Sequence, residues 1–199
     1  MALALNKTSL KQQRDQLSMY QRFLPSLELK RQQVIADYQK AKRILAATEQ
    51  KINELLGANN GGLFSLLGAS EQDLTGLVRV ESITVTEENR LGIKLPVLGQ
   101  VRFHATEYSM LAKPFWVDFL VELLQKMASL SLRRNIEKMR VQRLNDVVRR
   151  LTQRVNLFEN VLIPQAQKEI LRIQIYLADT ERAAVVRSKI AKTKNARSR

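Results

Sequence analysis

The sequence predicts a mainly α fold, a long antiparallel two-helix coiled coil with a small β-containing insert between the helices, on three observations. Two long stretches carry apolar residues at heptad-like spacing. Between them lies a short stretch where many apolar residues alternate with polar ones. Gly and Pro are scarce, 7 and 4 in 199 residues, while Leu, Gln, Arg, Lys, Glu and Ala dominate, as they do in long helices.

The first stretch places Leu3, Leu10, Leu17, Leu24, Arg31, Tyr38, Leu45 and Ile52 at one seam position. Asn6, Gln13, Tyr20, Leu27, Val34, Ala41, Thr48 and Leu55 follow three residues later. Most are apolar, so residues 1–56 read as a helix packed along a narrow stripe. Thr8 and Ser9 mark its start, with Ser9 and Gln12 spaced for a capping box; Gly57, Asn59, Asn60, Gly61 and Gly62 mark its stop. Pro25 removes a backbone donor inside the pattern, and a kink is expected there because the heptads continue unshifted.

Residues 57–113 read as a small β-rich insert. Val78, Val80, Ile83 and Val85 form one run, and Leu91, Ile93, Leu95, Val97, Val101 and Phe103 another. A turn is expected at Glu87, Glu88, Asn89 and Arg90, and Pro96 and Gly99 suggest short strands. Gly61 to Gly68 lacks the Lys-Ser/Thr ending of a phosphate loop and reads as a junction.

Residues 114–199 read as a second, longer helix with a basic tail. After Pro114, apolar residues recur at Leu120, Leu123, Met127 and Leu130, then at Val141, Leu144, Val148, Leu151, Val155, Phe158 and Leu162. Around Pro164 the stripe resumes as Ile163, Ala166, Ile170, Ile173, Leu177, Thr180 and Ala184, displaced by one position, so a kink or rewinding is expected. If Leu56 lies near Pro114, Met1 lies near residue 169, and the second helix outruns the first by roughly 20 to 30 residues on an antiparallel pairing. Trp116, with Phe115 and Phe119, reads as the anchor beneath the insert.

Composition narrows the chemistry. With no cysteine there is neither a disulfide nor a thiolate metal site, and the cytoplasm is the expected compartment. The apolar N-terminal stretch is too short for a signal peptide, and no run of 18 apolar residues occurs, so no direct membrane insertion is expected. His104 is the only histidine, which leaves no His-based metal cluster or His-centred triad within the chain. Glu87 and Glu88 read as exposed turn carboxylates. No catalytic residue, metal or cofactor is expected.

The net charge of +14 sits in the two helical flanks. From Arg182 onward come Arg187, Lys189, Lys192, Lys194, Arg197 and Arg199 with no acidic residue among them. No aromatic residue is interleaved for base stacking, which weighs against single-stranded nucleic acid.

The layout resembles the family of D subunits of V-type and archaeal-type ATPases and ATP synthases. The residues carrying the resemblance are Asn6-Lys7-Thr8, then Leu24-Pro25-Ser26-Leu27-Glu28-Leu29-Lys30-Arg31, and above all Arg154-Val155-Asn156-Leu157-Phe158-Glu159 followed by Ile163-Pro164. Gln153, Leu157 and Phe158 depart from the commoner family wording, while Arg154, Val155, Asn156, Glu159 and Pro164 keep it. The resemblance implies a noncatalytic rotor shaft in the central stalk, peripheral to the membrane through its complex. The implied partners are the catalytic and noncatalytic nucleotide-binding ring subunits (A and B), the central-stalk F subunit, and a membrane-linked C or d subunit, with no direct nucleic acid contact. Leu3, Leu10, Arg182, Arg187, Lys189, Lys192 and Lys194 are the candidate contacts with the ring. The alternative is a basic coiled-coil nucleic-acid-binding or scaffold protein.

Overall fold

A computed structural model of the chain describes residues 4–59, 77–105 and 116–197. In order come helix α1 (Lys7–Asn59), strands β1 (Val78–Arg90) and β2 (Ile93–Ala105), helix α2 (Trp116–Leu157), a π-helical turn (Phe158–Leu162) and helix α3 (Ile163–Arg197). The fold is the expected mainly α one, long helices with a two-stranded antiparallel sheet between them in sequence. Leu3, the Gly61–Gly68 junction, Pro114, Phe115 and Arg199 lie outside the described residues.

The seam of α1 is legible residue by residue. Val34, Ala41, Thr48 and Ile52 are buried, and Leu10, Gln13, Leu17, Tyr20, Leu24, Leu27, Arg31, Tyr38, Leu45 and Leu55 are half-buried. All sit on the two seam positions read from the heptads, because a seven-residue repeat returns a helix to nearly the same face. Pro25 is exposed, and α1 is α-helical on both sides of it.

The start of α1 corrects the expected cap. The Ser9 amide donates to Asn6 Oδ1 at 2.7 Å, so Asn6 is the N-cap and Ser9 a residue of the first turn. Asn6 also accepts at its carbonyl from the Leu10 amide at 3.1 Å, the first full helical bond. The amide acceptor of Asn6 reaches the third amide of the helix, where the expected Ser9 box would have left that donor open.

By Cα packing the chain forms two compact units, residues 1–32 with 149–199, and residues 33–148. In the first, Lys7 lies 3.9 Å from Glu181, and the Tyr20 ring meets that of Phe158 edge-on at a centroid distance of 5.5 Å. Early residues of α1 thus pair with late residues of α3, the antiparallel order. The register differs from the estimate that put Met1 beside residue 169, and the overhang of α3 is correspondingly shorter. Two heptad seams can slide by whole heptads without losing their pattern, so periodicity alone does not set register. Specific pairs such as Tyr20 with Phe158 do.

In the second unit, β1 and β2 form one hairpin. Its pairs run from Val78 with Ala105 to Arg90 with Ile93, with irregularities between Val80 and Ser82 and between Ile83 and Val85. The turn is Leu91–Gly92, both at positive φ (54° and 79°), and not the expected Glu87–Arg90, which forms the end of β1. Gly92 adopts that conformation freely and Leu91 does not; a Leu-Gly pair carries no turn signature, which is why composition pointed to the preceding polar residues. The strands span 13 residues each, longer than Pro96 and Gly99 suggested. Gly99 fits a close approach, since a Cβ there would meet the Thr84 carbonyl oxygen at 3.0 Å.

The base of the hairpin rests on the start of α2. Leu77, Val117, Leu120 and Val121 form a buried cluster against which Val78, Trp116 and Leu123 pack. Trp116 is part of this anchor, as the sequence suggests, whereas Phe119 is about half exposed.

Candidate partner-binding surfaces

The strongest sequence motif lies at the one irregularity of the second helical stretch. Upstream the buried residues are Leu144, Leu151 and Val155; downstream they are Ala166 and Ile173. The interval from Val155 to Ala166 exceeds by one residue the step that would keep the seam in phase. The π-helical turn Phe158–Leu162 absorbs that residue, with the Ile163 amide donating to the Phe158 carbonyl in place of the Glu159 carbonyl. Pro164, which has no amide hydrogen, follows directly, where the helical ladder is already rearranged. The shift noticed in the sequence is therefore a wide turn that rephases the seam.

Around this turn, Val155 is fully buried, Pro164 is half-buried, and Arg154, Asn156 and Glu159 are exposed. Leu157 and Val161 are large apolar side chains left about half exposed beside them. Val155 holds the helix pair together, while the polar motif residues face outward and are free to meet another chain.

The basic end of α3 is helical and exposed. Arg182, Arg187, Lys189, Lys192 and Lys194 are all exposed, as is every residue from Asp179 to Asn195. Arg182 approaches Asp179 at 3.5 Å, an exposed i,i+3 pair of small energetic weight. Arg187 Nε donates to the Ala183 carbonyl at 3.2 Å. Leu10 is half-buried in α1, three residues from the Lys7 that meets Glu181, so Leu10 and Arg182 lie at the same end of their unit. From Glu181 to Lys194 the helix advances about 20 Å beyond that pair. Val185, Val186 and Ile190, each just over half exposed, add apolar area to this basic surface.

A further charged site has no signature in the sequence. Arg90 reaches Glu88 at 2.6 Å and Asp37 of α1 at 3.5 Å, while Arg140 of α2 donates to the other Glu88 oxygen at 2.9 Å. Arg143 Nη1 lies 4.0 Å from Glu87 and donates to the Lys94 carbonyl at 3.1 Å. Glu88 is thus a partly buried bridge, in contrast to the exposed turn acid that the sequence suggests. The Arg90 hydrogen bond, reinforced by Arg140 and opposed by desolvation, holds the Glu88 carboxyl below its ordinary 4.5. The same bond raises Arg90. Sequence spacing could not pair residues 37, 88 and 140, because only the folding back of the hairpin juxtaposes them.

Among the described residues no group of three or more His, Cys, Asp and Glu side chains could hold a metal, and no helix is long and apolar enough to cross a membrane. The described surfaces are suited to contact with other macromolecules.

Comparison with known proteins identifies the family. The profile of the family described as the D subunit of ATP synthase matches residues 9–193. A V-type ATP synthase D subunit from Borreliella burgdorferi is 34% identical over 192 residues, covering 96% of this chain and 94% of that protein. Proteins of the same description from Chlamydia trachomatis serovar L2 and Chlamydia pneumoniae are 31% and 28% identical, each over 96% of this chain and over 95% and 91% of their own lengths. On the profile match over residues 9–193 and these relatives, the chain belongs to the family of ATP synthase D subunits.

Proposed function

We propose that this chain is the noncatalytic central-stalk rotor shaft of a V/A-type ATPase or ATP synthase. It couples ATP hydrolysis or synthesis in a catalytic ring to ion translocation across the membrane by rotation. The observation that carries the reading is the seam-paired helix pair prolonged at one end by the exposed basic end of α3, in a chain of this family. A paired coiled coil resists twisting better than one helix, and an exposed apolar-and-basic end is suited to a bearing inside a larger ring.

On this reading residues 1–56 and 114–199 make the shaft, and residues 57–113 make a head contributing regulation or contacts at the membrane-facing end. Leu3, Leu10, Arg182, Arg187, Lys189, Lys192 and Lys194 meet the A and B subunits of the ring. The F subunit binds alongside, and a membrane-linked C or d subunit lies below. The chain works in the cytoplasm, peripheral to the membrane, and nucleotide chemistry belongs to the ring.

The test is truncation within the reconstituted complex. Removing residues 182–199 should weaken ring assembly or reduce ATP-driven ion pumping at least several-fold, with the helicity of the remaining chain retained. Unchanged rotation and pumping would count against the bearing assignment. Co-purification from native membranes checks the wider reading: ATPase ring subunits should accompany the tagged chain, and nucleic acid without them would favour the basic scaffold.

A further inference from the structure

The hairpin is mounted on the helices at two places of different physical character. At its base, Leu77 and Val78 belong to the apolar cluster with Val117, Leu120 and Val121 of α2. Toward its tip, beside the fully buried Leu95 and its neighbour Pro96, the helices hold it through polar contacts. These are Arg90 with Asp37, Glu88 with Arg140, Glu87 with Arg143, and the Lys94 carbonyl with Arg143. Between the two mounts, β1 from Arg79 to Glu87 is exposed throughout and contains both register irregularities.

The underside of the hairpin is imperfectly filled. A half-open cavity of about 370 Å³ lies between Pro96–Gly99 of β2, Ala41 and Ile44 of α1, and Arg133, Ile136, Glu137 and Arg140 of α2. Glu137 Oε1 accepts from Arg133 Nε at 3.0 Å, but its Oε2 is buried without a hydrogen-bond partner. Glu137 thus lies on the helix side of this cavity, across from the hairpin's Pro96–Gly99.

We propose that the hairpin is a flap, pivoting on its apolar base and held down at its tip by the ionic latch of Asp37, Arg90, Glu88 and Arg140. Lifting uncovers Leu95 and Ala41 and widens the cavity beside Glu137, turning a closed face of this unit into an open one. Ionic strength controls the latch, because screening weakens partly exposed pairs while the base cluster is indifferent to it. At low salt the latch keeps the flap closed.

The test measures distance in the full chain, and the absence of native cysteine makes labelling clean. Nitroxides at Asn89→Cys and Lys138→Cys, both exposed positions, report the tip; nitroxides at Arg79→Cys and Phe119→Cys report the base. Raising sodium chloride from about 0.05 M to about 1 M shrinks the Debye length to about 3 Å. The long-distance population of the tip pair should then rise at least three-fold, with the base pair unchanged. Glu88→Gln with Arg140→Gln should produce the same opening at low salt, with helicity by circular dichroism confirming the fold. A single tip distance, insensitive to salt and to the double substitution, would overturn the proposal. So would equal movement of the base pair, which would mean loosening of the whole unit.

Discussion

Leu91 occupies a left-handed position, φ 54°, that costs a β-carbon-bearing residue about 1 kcal/mol or more. Leu91→Asn should raise stability by about 0.5–1 kcal/mol in urea unfolding, since Asn tolerates this conformation and the Leu91 side chain is well exposed. Gly99→Val should do the opposite, by about 1–3 kcal/mol, because its Cβ would press on the Thr84 carbonyl 3.0 Å away. Glu88 gives a pH signature. Its carboxyl is held below 4.5, so its contribution is fully present above that value and is lost as pH falls through the depressed value. The stability difference between the natural chain and Glu88→Gln should be constant from pH 7 to about pH 5 and shrink below about pH 4.5. A difference that grows on acidification would assign the bridge to other groups. At this scale the seam residues were legible in advance because burial follows the heptad, whereas the Asn6 cap, the Leu91–Gly92 turn and the Glu88 bridge were not. Those three depend on which of several nearby polar or small groups the backbone brings into reach.

Among the elements, the π-helical turn is the informative one. The sequence shows a one-residue displacement of the stripe around Pro164, and an α-helix can accommodate it only by rewinding or by a wide turn. Deleting Asn160 would restore an unbroken heptad from Leu144 through Ile173, and Pro164→Ala would restore the missing amide donor. The combined variant should unfold at the same temperature or higher, because both changes favour a regular helix. It would also remove the wide turn and the outward bulge it presents, while the residues on either side keep their faces relative to the seam. The turn is expected to serve partner contact, so the reconstituted complex should assemble poorly or pump at a reduced rate despite the stable shaft. Loss of thermal stability with normal coupling would instead make the turn a packing device. Tyr20→Ala probes the neighbouring brace and should cost about 2–4 kcal/mol, combining partial loss of aromatic burial with the edge-on contact to Phe158.

For the whole molecule, the proposed function rests on surfaces that the helix pair leaves uncovered. The exposed end of α3 carries positive charge interrupted by Val185, Val186 and Ile190. Reversing Arg187 and Lys189 to Glu should weaken association with the ring by about tenfold at low salt and less at high salt, measured by the yield of intact complex. An effect of equal size at all salt concentrations would point to shape instead of charge. The helix pair, the hairpin and the basic tail were determined by the sequence itself, through heptad periodicity, alternation, and charge clustering that holds whatever the chain packs against. The pairing register, the seating of the hairpin and the Asp37–Arg90–Glu88–Arg140 bridge were decided only by the tertiary structure. Repeating seams permit several alignments of nearly equal burial, and the choice among them rests on contacts between residues far apart in sequence, such as Tyr20 with Phe158 and Glu88 with Arg140.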